Sequence, residues 1–312
     1  MVRIALVGCG EHSESGHAVP LERYRRQHAD KVILAAVCDI EIERARHFCD
    51  KFGFKNAYSH LDEMLLREQI DGCVAVVPIE QIARIGVYLM KRRIPCSIEK
   101  PLGSSRDEVN HLLSSARSTA TPNMVSVNRR FMPFLNRALE WTRNHGSIDY
   151  VRCTMSRHAR NEPEFIWATA VHAVDTLRYI AGEVRSHKAC NLKSGPHANG
   201  YSLNFVFESD AIGRVDVLPT TGMLEEKYEL FGNGFYVAVT CPFGDRRGWV
   251  AYADGVRIVE EWASDQLTED VINGCYDETS CFVDSLRGGK VLRPSIADVA
   301  QSVELCMSIA GM

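Results

Sequence analysis

The chain has 312 residues, 46% apolar and 24% charged, enough to build a sizeable core in two ordinary domains. A formal net charge of −4, with no basic run longer than Lys91-Arg92-Arg93, speaks against a nucleic-acid or membrane surface as partner. The eleven cysteines include no CxxC pair, and Cys38, Cys73, Cys96 and Cys153 interrupt apolar runs, so free core thiols in a reducing cytoplasm are expected rather than disulfides.

Val2–Val7 (VRIALV) reads as a buried strand ending in glycine, without the flanks of a signal peptide, and no stretch reaches the roughly 18 apolar residues of a membrane span. A turn and helix follow to about His28, then a strand at Val32–Cys38 and a helix at Ile42–Lys51. Next come a helix at Leu61–Glu68, a strand at Gly72–Val77 closed by Pro78, and a helix at Glu80–Lys91. Pro95–Ile98 is the fourth strand and Met124–Asn128 the fifth, separated by a helix that Ser105 and Glu108 open as a capping box. Strand and helix alternating in this way demand a parallel sheet covered on both faces.

Beyond residue 130 the rhythm changes. A helix at Pro133–Asn144 precedes strand-like segments at Tyr150–Arg157, Val184–Leu192, Tyr201–Glu208 and Gly213–Leu218. Lys227–Phe231 and Phe235–Thr240 meet at a three-residue hairpin signal, Gly232-Asn233-Gly234, and Trp249–Ala253 meets Arg257–Glu261 at Asp254-Gly255. Helices at His172–Ala181, about Thr268–Leu286 and Ser295–Ile309 complete an α+β region with a large, mostly antiparallel open sheet. The expected domains are residues 1–122 and 123–312.

The first strand runs into Gly8-Cys9-Gly10-Glu11-His12-Ser13, a GxG turn before a helix with a small serine at the third position. Gly8 permits the turn, and Gly10 lets a pyrophosphate approach free N–H donors at the helix start. Asp39 closes the second strand, placed to take the hydroxyls of an adenosine ribose. Ile40 follows, with no adjacent Arg or Ser for a 2′-phosphate, which favours NAD over NADP. Glu11 and His12 either contact that cofactor or are simply exposed. No HExxH and no clustered Cys/His spacing is present, so no metal is expected.

Further marks run the length of the chain. They include His17, Cys38-Asp39, Glu43-Arg44-Ala45, Phe52-Gly53, Tyr58–Leu65, Val77-Pro78 and Glu99-Lys100-Pro101. Asn128-Arg129-Arg130-Phe131, His172-Ala173-Val174-Asp175 with Gly182, and Phe282–Pro294 follow. In this register the chain resembles the glucose–fructose oxidoreductase / inositol dehydrogenase family (Gfo/Idh/MocA). The resemblance implies an N-terminal doubly wound Rossmann domain for NAD(P) and a C-terminal sheet domain holding the substrate and a homodimer or homotetramer interface. It places Gly8, Gly10, Glu11, His12, Ser13, Asp39, Ile40, Val77, Pro78, Glu99, Lys100, Pro101 and Asn128 around the cofactor. It also implies that Lys100 bonds the substrate oxygen, where its ammonium stabilises a developing alkoxide. Glu99 would hold that cation, and Pro101 would fix the exit turn, with a cis peptide open to it.

By the same resemblance His172 is the general acid/base, a role its near-neutral pKa suits; the alternative is a hydrogen-bonded core histidine. Many relatives carry an aspartate four residues earlier, where this chain has Ala168, and a histidine where it has Ile82. Asp175 then reads as a structural partner, while Glu162 and Glu164 are candidate substitutes for the missing acid. Arg130 reads either as a contact to cofactor or anionic substrate or as a salt-bridged arginine. Arg157, His158 and Arg160 suit an acidic or phosphorylated sugar, or a solvated edge. Trp167 stacks on a sugar ring or belongs to the core. The expectation is an NAD-dependent oxidoreductase acting on a hydroxyl or keto carbon of a sugar, cyclitol or polyol. The alternatives are an NAD-cycling glycosidase or epimerase, and a non-catalytic NAD-binding sensor.

Overall fold

The computed structural model describes residues 1–193 and 199–312. The chain divides into two compact units, residues 1–127 with 275–301, and residues 128–274 with 302–312. In the first, β1 (Val2–Val7), β2 (Val32–Cys38), β3 (Asn56–Tyr58), β4 (Gly72–Ala75), β5 (Cys96–Glu99) and β6 (Asn123–Ser126) form one parallel sheet ordered β3-β2-β1-β4-β5-β6. It is a doubly wound Rossmann sheet, whose strand order reverses between β1 and β4; ligands bind at the carboxyl ends on either side of such a reversal. Apolar runs bury these strands on both faces, and Ile4, Ala5 and Leu6 are inaccessible to solvent. The boundary expected after residue 122 falls ahead of β6, which pairs with β5 in this sheet. β3 was not foreseen, because three residues are too few to show a period.

The helix Arg106–Thr119 opens on Ser105, whose Oγ accepts from the Glu108 N–H at 3.3 Å. Glu108 returns its carboxylate to Ser104 rather than to Ser105, accepting from N at 2.6 Å and Oγ at 2.9 Å. The expected long helix at 268–286 is two, Glu269–Ile272 and Cys275–Gly288. They part at Gly274, which takes φ +86°; a Cβ there would lie 2.3 Å from the Asn128 carbonyl oxygen.

The second unit carries β7 (Tyr150–Ser156), β8 (Val184–Lys193), β9 (Asn199–Phe207), β10 (Ile212–Leu218), β11 (Glu225–Gly232), β12 (Phe235–Thr240), β13 (Gly248–Ala253) and β14 (Val256–Trp262). Their order is β14-β13-β12-β11-β7-β10-β9-β8, antiparallel except where β7 meets β10. Gly232 pairs with Phe235, so that hairpin turns on two residues, Asn233-Gly234, not three. Asp254 and Gly255 both take positive φ, the geometry that suits the twist of the flanking strands. One cross-strand row, Val151, Leu230, Val237 and Ala251, is fully buried, and the helix Val171–Ala181 lies against β7 and β10. Among the described residues, no helix is long and apolar enough to cross a membrane.

Candidate active site

A cleft of about 860 Å³ in the first unit opens at the carboxyl ends of β1 and β4. Gly8 turns the chain at φ +92°, and a Cβ there would sit 1.9 Å from the Val76 carbonyl oxygen, so a side chain is excluded. At Gly10 a Cβ would meet nothing within 4 Å, leaving the space a dinucleotide backbone needs directly before the first helix. Ser13 is buried, and its hydroxyl donates to the Gly8 carbonyl at 2.6 Å, locking the loop.

Asp39 accepts backbone N–H groups from Cys9 at 2.8 Å and Glu41 at 2.9 Å, one on each carboxylate oxygen. Each oxygen keeps a second acceptor site for a ribose hydroxyl. Glu11, His12, Ile40, Val77 and Pro78, expected around the cofactor, line the same cleft. Arg44, His60, Gln81 and Arg84 line it too and were missed. Arg44 lies on the first turns of the helix after β2, where its distance from Asp39 was legible but its direction was not. These residues fit NAD: a glycine cradle, a helix start and a carboxylate at the ribose position.

At the other end of the cleft, β5 delivers Glu99 and then Lys100, which line it together. The Lys100-Pro101 peptide is cis. Pro101 itself is buried in the exit turn. Glu99 is buried, and its Oε1 lies 2.7 Å from His17 Nε2 and 3.2 Å from His12 Nε2. Burial pushes this carboxyl up, but the two imidazoles outweigh it and hold it well below the ordinary carboxylate range. The first helix makes this convergence possible. It widens into a π-helical segment at Glu14–Ala18, where hydrogen bonds run from residue i to i+5. Residues five apart, such as His12 and His17, then share a face, with ring centroids 5.9 Å apart and edge-on. His17 was noted in the sequence, though without a partner 82 residues away.

In the second unit His172 is buried in the first turn of its helix, and its carbonyl accepts the Thr176 hydroxyl at 2.7 Å. The preceding residues Phe165–Thr169 are again π-helical; they place Trp167 half-buried and Ala168 buried. Asp175 is a structural partner, as expected. It takes a bidentate pair from Arg130 at 2.7 and 2.8 Å and a hydrogen bond from Ser302 at 2.7 Å.

Arg130 is thus the salt-bridged arginine, not a demonstrated ligand contact, because its fork matches a buried carboxylate. Arg157 is likewise buried, paired with Glu226 and donating to the Ser156 carbonyl at 2.9 Å. His158 is exposed beside the Thr221 carbonyl, and Arg160 bonds Glu162. Glu164 caps the π-helical segment through its carbonyl, which accepts from Ala168 N at 2.8 Å. Asn128 donates to the Asn273 carbonyl at 2.8 Å and accepts from Arg129 at 3.0 Å.

A Rossmann sheet with a glycine cradle and a carboxylate at the ribose position define the class of the first unit: an NAD-binding Rossmann domain. Residues 2–128 match the family described as "Oxidoreductase family, NAD-binding Rossmann fold" (GFO_IDH_MocA). The chain is 24% identical to 4-carboxy-2-hydroxymuconate-6-semialdehyde dehydrogenase of Sphingobium sp., over 96% of this chain and 94% of that one. It is 23% identical to myo-inositol 2-dehydrogenase of Thermotoga maritima, over 58% of this chain and 55% of that one. In fold it is similar to an Agrobacterium radiobacter oxidoreductase solved with NAD+, L-tartaric acid and magnesium, with a TM-score of 0.80 and 18% identity, covering 99% of this chain and 96% of that one.

Proposed function

We propose that the protein moves hydride between the nicotinamide of NAD and a hydroxyl or keto carbon of a sugar, cyclitol or related polyol. The observation that carries this reading is Lys100, set at the carboxyl end of β5 on the wall of the dinucleotide cleft, directly after the buried Glu99. NAD, when bound, supplies the hydride acceptor or donor. Lys100 holds the substrate oxygen and stabilises the negative charge it develops. His172 takes or returns the hydroxyl proton. Gly8, Gly10 and Asp39 hold the dinucleotide through close backbone approach and the ribose hydroxyls.

Lys100→Met is expected to leave NADH affinity within about twofold while lowering kcat by about 10²–10³-fold, the usual cost of losing one group that stabilises developing charge. NADH binding is followed by tryptophan fluorescence, and turnover by absorbance on a panel of sugars, cyclitols and polyols. The relatives named for a carboxylated semialdehyde and crystallised with tartaric acid argue for adding hydroxy acids to that panel. Unchanged turnover in the variant would refute the role given to Lys100.

The buried Ala168, standing where the family resemblance implies an acid, favours a second reading: an NAD-binding sensor without turnover. Binding of NAD with no product from any substrate supports it. Turnover without net NADH instead marks a reaction in which hydride returns. We also propose that the second sheet joins copies into a homodimer or homotetramer.

A further inference from the structure

We propose that His12, His17 and Glu99 form a binding site for a divalent transition-metal cation on the wall of the dinucleotide cleft. Among the described residues, this is the one group of three His, Cys, Asp or Glu side chains whose ligand atoms all lie within 4.8 Å of one another. Two imidazoles and a carboxylate suit zinc, nickel, cobalt or ferrous iron; magnesium and calcium prefer all-oxygen sets.

The two distances to Glu99 agree. Metal–ligand bonds of about 2.0–2.1 Å at tetrahedral angles set ligand atoms roughly 3.3 Å apart. His12 Nε2 is already 3.2 Å from Glu99 Oε1, and the His17 contact at 2.7 Å opens by only about half an ångström to match. Both imidazoles now hydrogen-bond the same carboxylate oxygen through the same ring nitrogen, so an ion that displaces those protons finds all three ligand atoms already within 4.8 Å of one another. Glu99 and His17 are buried and fixed, whereas the His12 side chain is 63% exposed. The fourth position of a four-coordinate ion therefore opens toward the cleft, where water completes the shell.

The π-helical turn is the second observation. Such turns are rare and recur at functional sites, and this one sets two histidines five residues apart on one face. No spacing motif reveals the set, because its third ligand comes from the end of β5. Resting on the dehydrogenase reading, the ion carries a consequence. His12 and Lys100 line one cleft, and His12 follows the Gly10 turn where the pyrophosphate approaches, so a bound dication adds positive charge beside that dianion and strengthens binding of NAD+, which is net anionic.

The probe is nickel chloride titrated calorimetrically into the full-length, dinucleotide-free protein; nickel is preferred to zinc because Cys190 is exposed. One ion per chain is expected to bind with micromolar affinity. Losing a direct ligand costs at least what losing an outer-shell partner does, so His12→Ala weakens binding about tenfold or more. His12→Asp, which restores an oxygen ligand, recovers part of the loss. Circular dichroism confirms that each variant is folded. No saturable nickel binding, or an isotherm unchanged in His12→Ala, would overturn the site. Equal NAD+ affinity with and without nickel would overturn its placement in the cleft while leaving the dehydrogenase reading intact.

Discussion

Glu226 is fully buried between two guanidiniums, Arg129 and Arg157, and accepts the Tyr228 hydroxyl at 2.5 Å. Burial alone raises its pKa, but the two arginines outweigh burial and hold it at about 2, below the ordinary 4.5. A depressed pKa stabilises the fold fully above the unfolded value, and that contribution is lost as pH falls from about 4.5 toward 2. It amounts to about 3 kcal/mol, taking roughly 1.4 kcal/mol per pKa unit. The network reaches the helix that carries His172. Tyr228 lies 3.5 Å from the Thr176 hydroxyl, which in turn bonds the carbonyl of His172. Glu226→Gln is expected to cost about 3–5 kcal/mol at pH 7, because two buried guanidiniums lose their counter-charge. It should also flatten the acid slope of stability. Urea unfolding at pH 7, pH 5 and pH 3 checks both, and a slope equal to the parent's would show that Glu226 is not its source.

At the scale of elements, Gly274 separates the short helix Glu269–Ile272 from Cys275–Gly288. Its φ is +86°, and an added Cβ would press on the Asn128 carbonyl at 2.3 Å and the Met132 nitrogen at 2.7 Å. Both contacts are backbone, so no side chain can yield. Gly274→Ala is therefore expected to cost about 2–3 kcal/mol and lower Tm by about 5 °C or more, read by calorimetry. A variant melting with the parent would mean that the break relaxes freely. The same glycine shows where the sequence stops being legible. Apolar periodicity continues across 268–286, and nothing local announces a backbone approaching from residue 128.

What was legible had a local cause. The buried strands announce themselves by β-branched runs, the GxG turn by its glycines, and the hairpin at Asp254-Gly255 by its need for positive φ. The two π-helical segments were not visible, since five residues in a wide turn look like any helix in sequence. Their consequences were hidden with them. His12 and His17 meet Glu99 only because the first helix widens, and Arg130 and Arg157 turn to Asp175 and Glu226 through pairings that sequence distance conceals.

At the scale of the whole molecule, the second sheet presents two unlike faces. One row is fully buried, and the adjoining residues carry a ladder of aromatics directly opposite one another across four strands, Tyr150, Phe231, Tyr236 and Tyr252. Ring centroids are 5.7, 4.9 and 6.1 Å apart along it, and each residue is only half-buried within the chain. On the edge strand β14, Val256 is 61% and Ile258 55% exposed. A contiguous apolar row left partly wet suits burial against a second copy, and aromatic residues are enriched in the cores of such interfaces. The parent is therefore expected to run in light scattering at two or four times its 35.0 kDa chain mass. Tyr236 donates to Glu229 at 2.8 Å, so Tyr236→Glu sets two carboxylates side by side in the middle of the ladder. Within one chain that pair can stay hydrated, and the fold survives. Pressed against a partner it must be desolvated, which opposes association. The variant should appear as a 35.0 kDa species at concentrations where the parent is assembled. A parent that is itself monomeric, or a variant that assembles as the parent does, would remove this face from the interface.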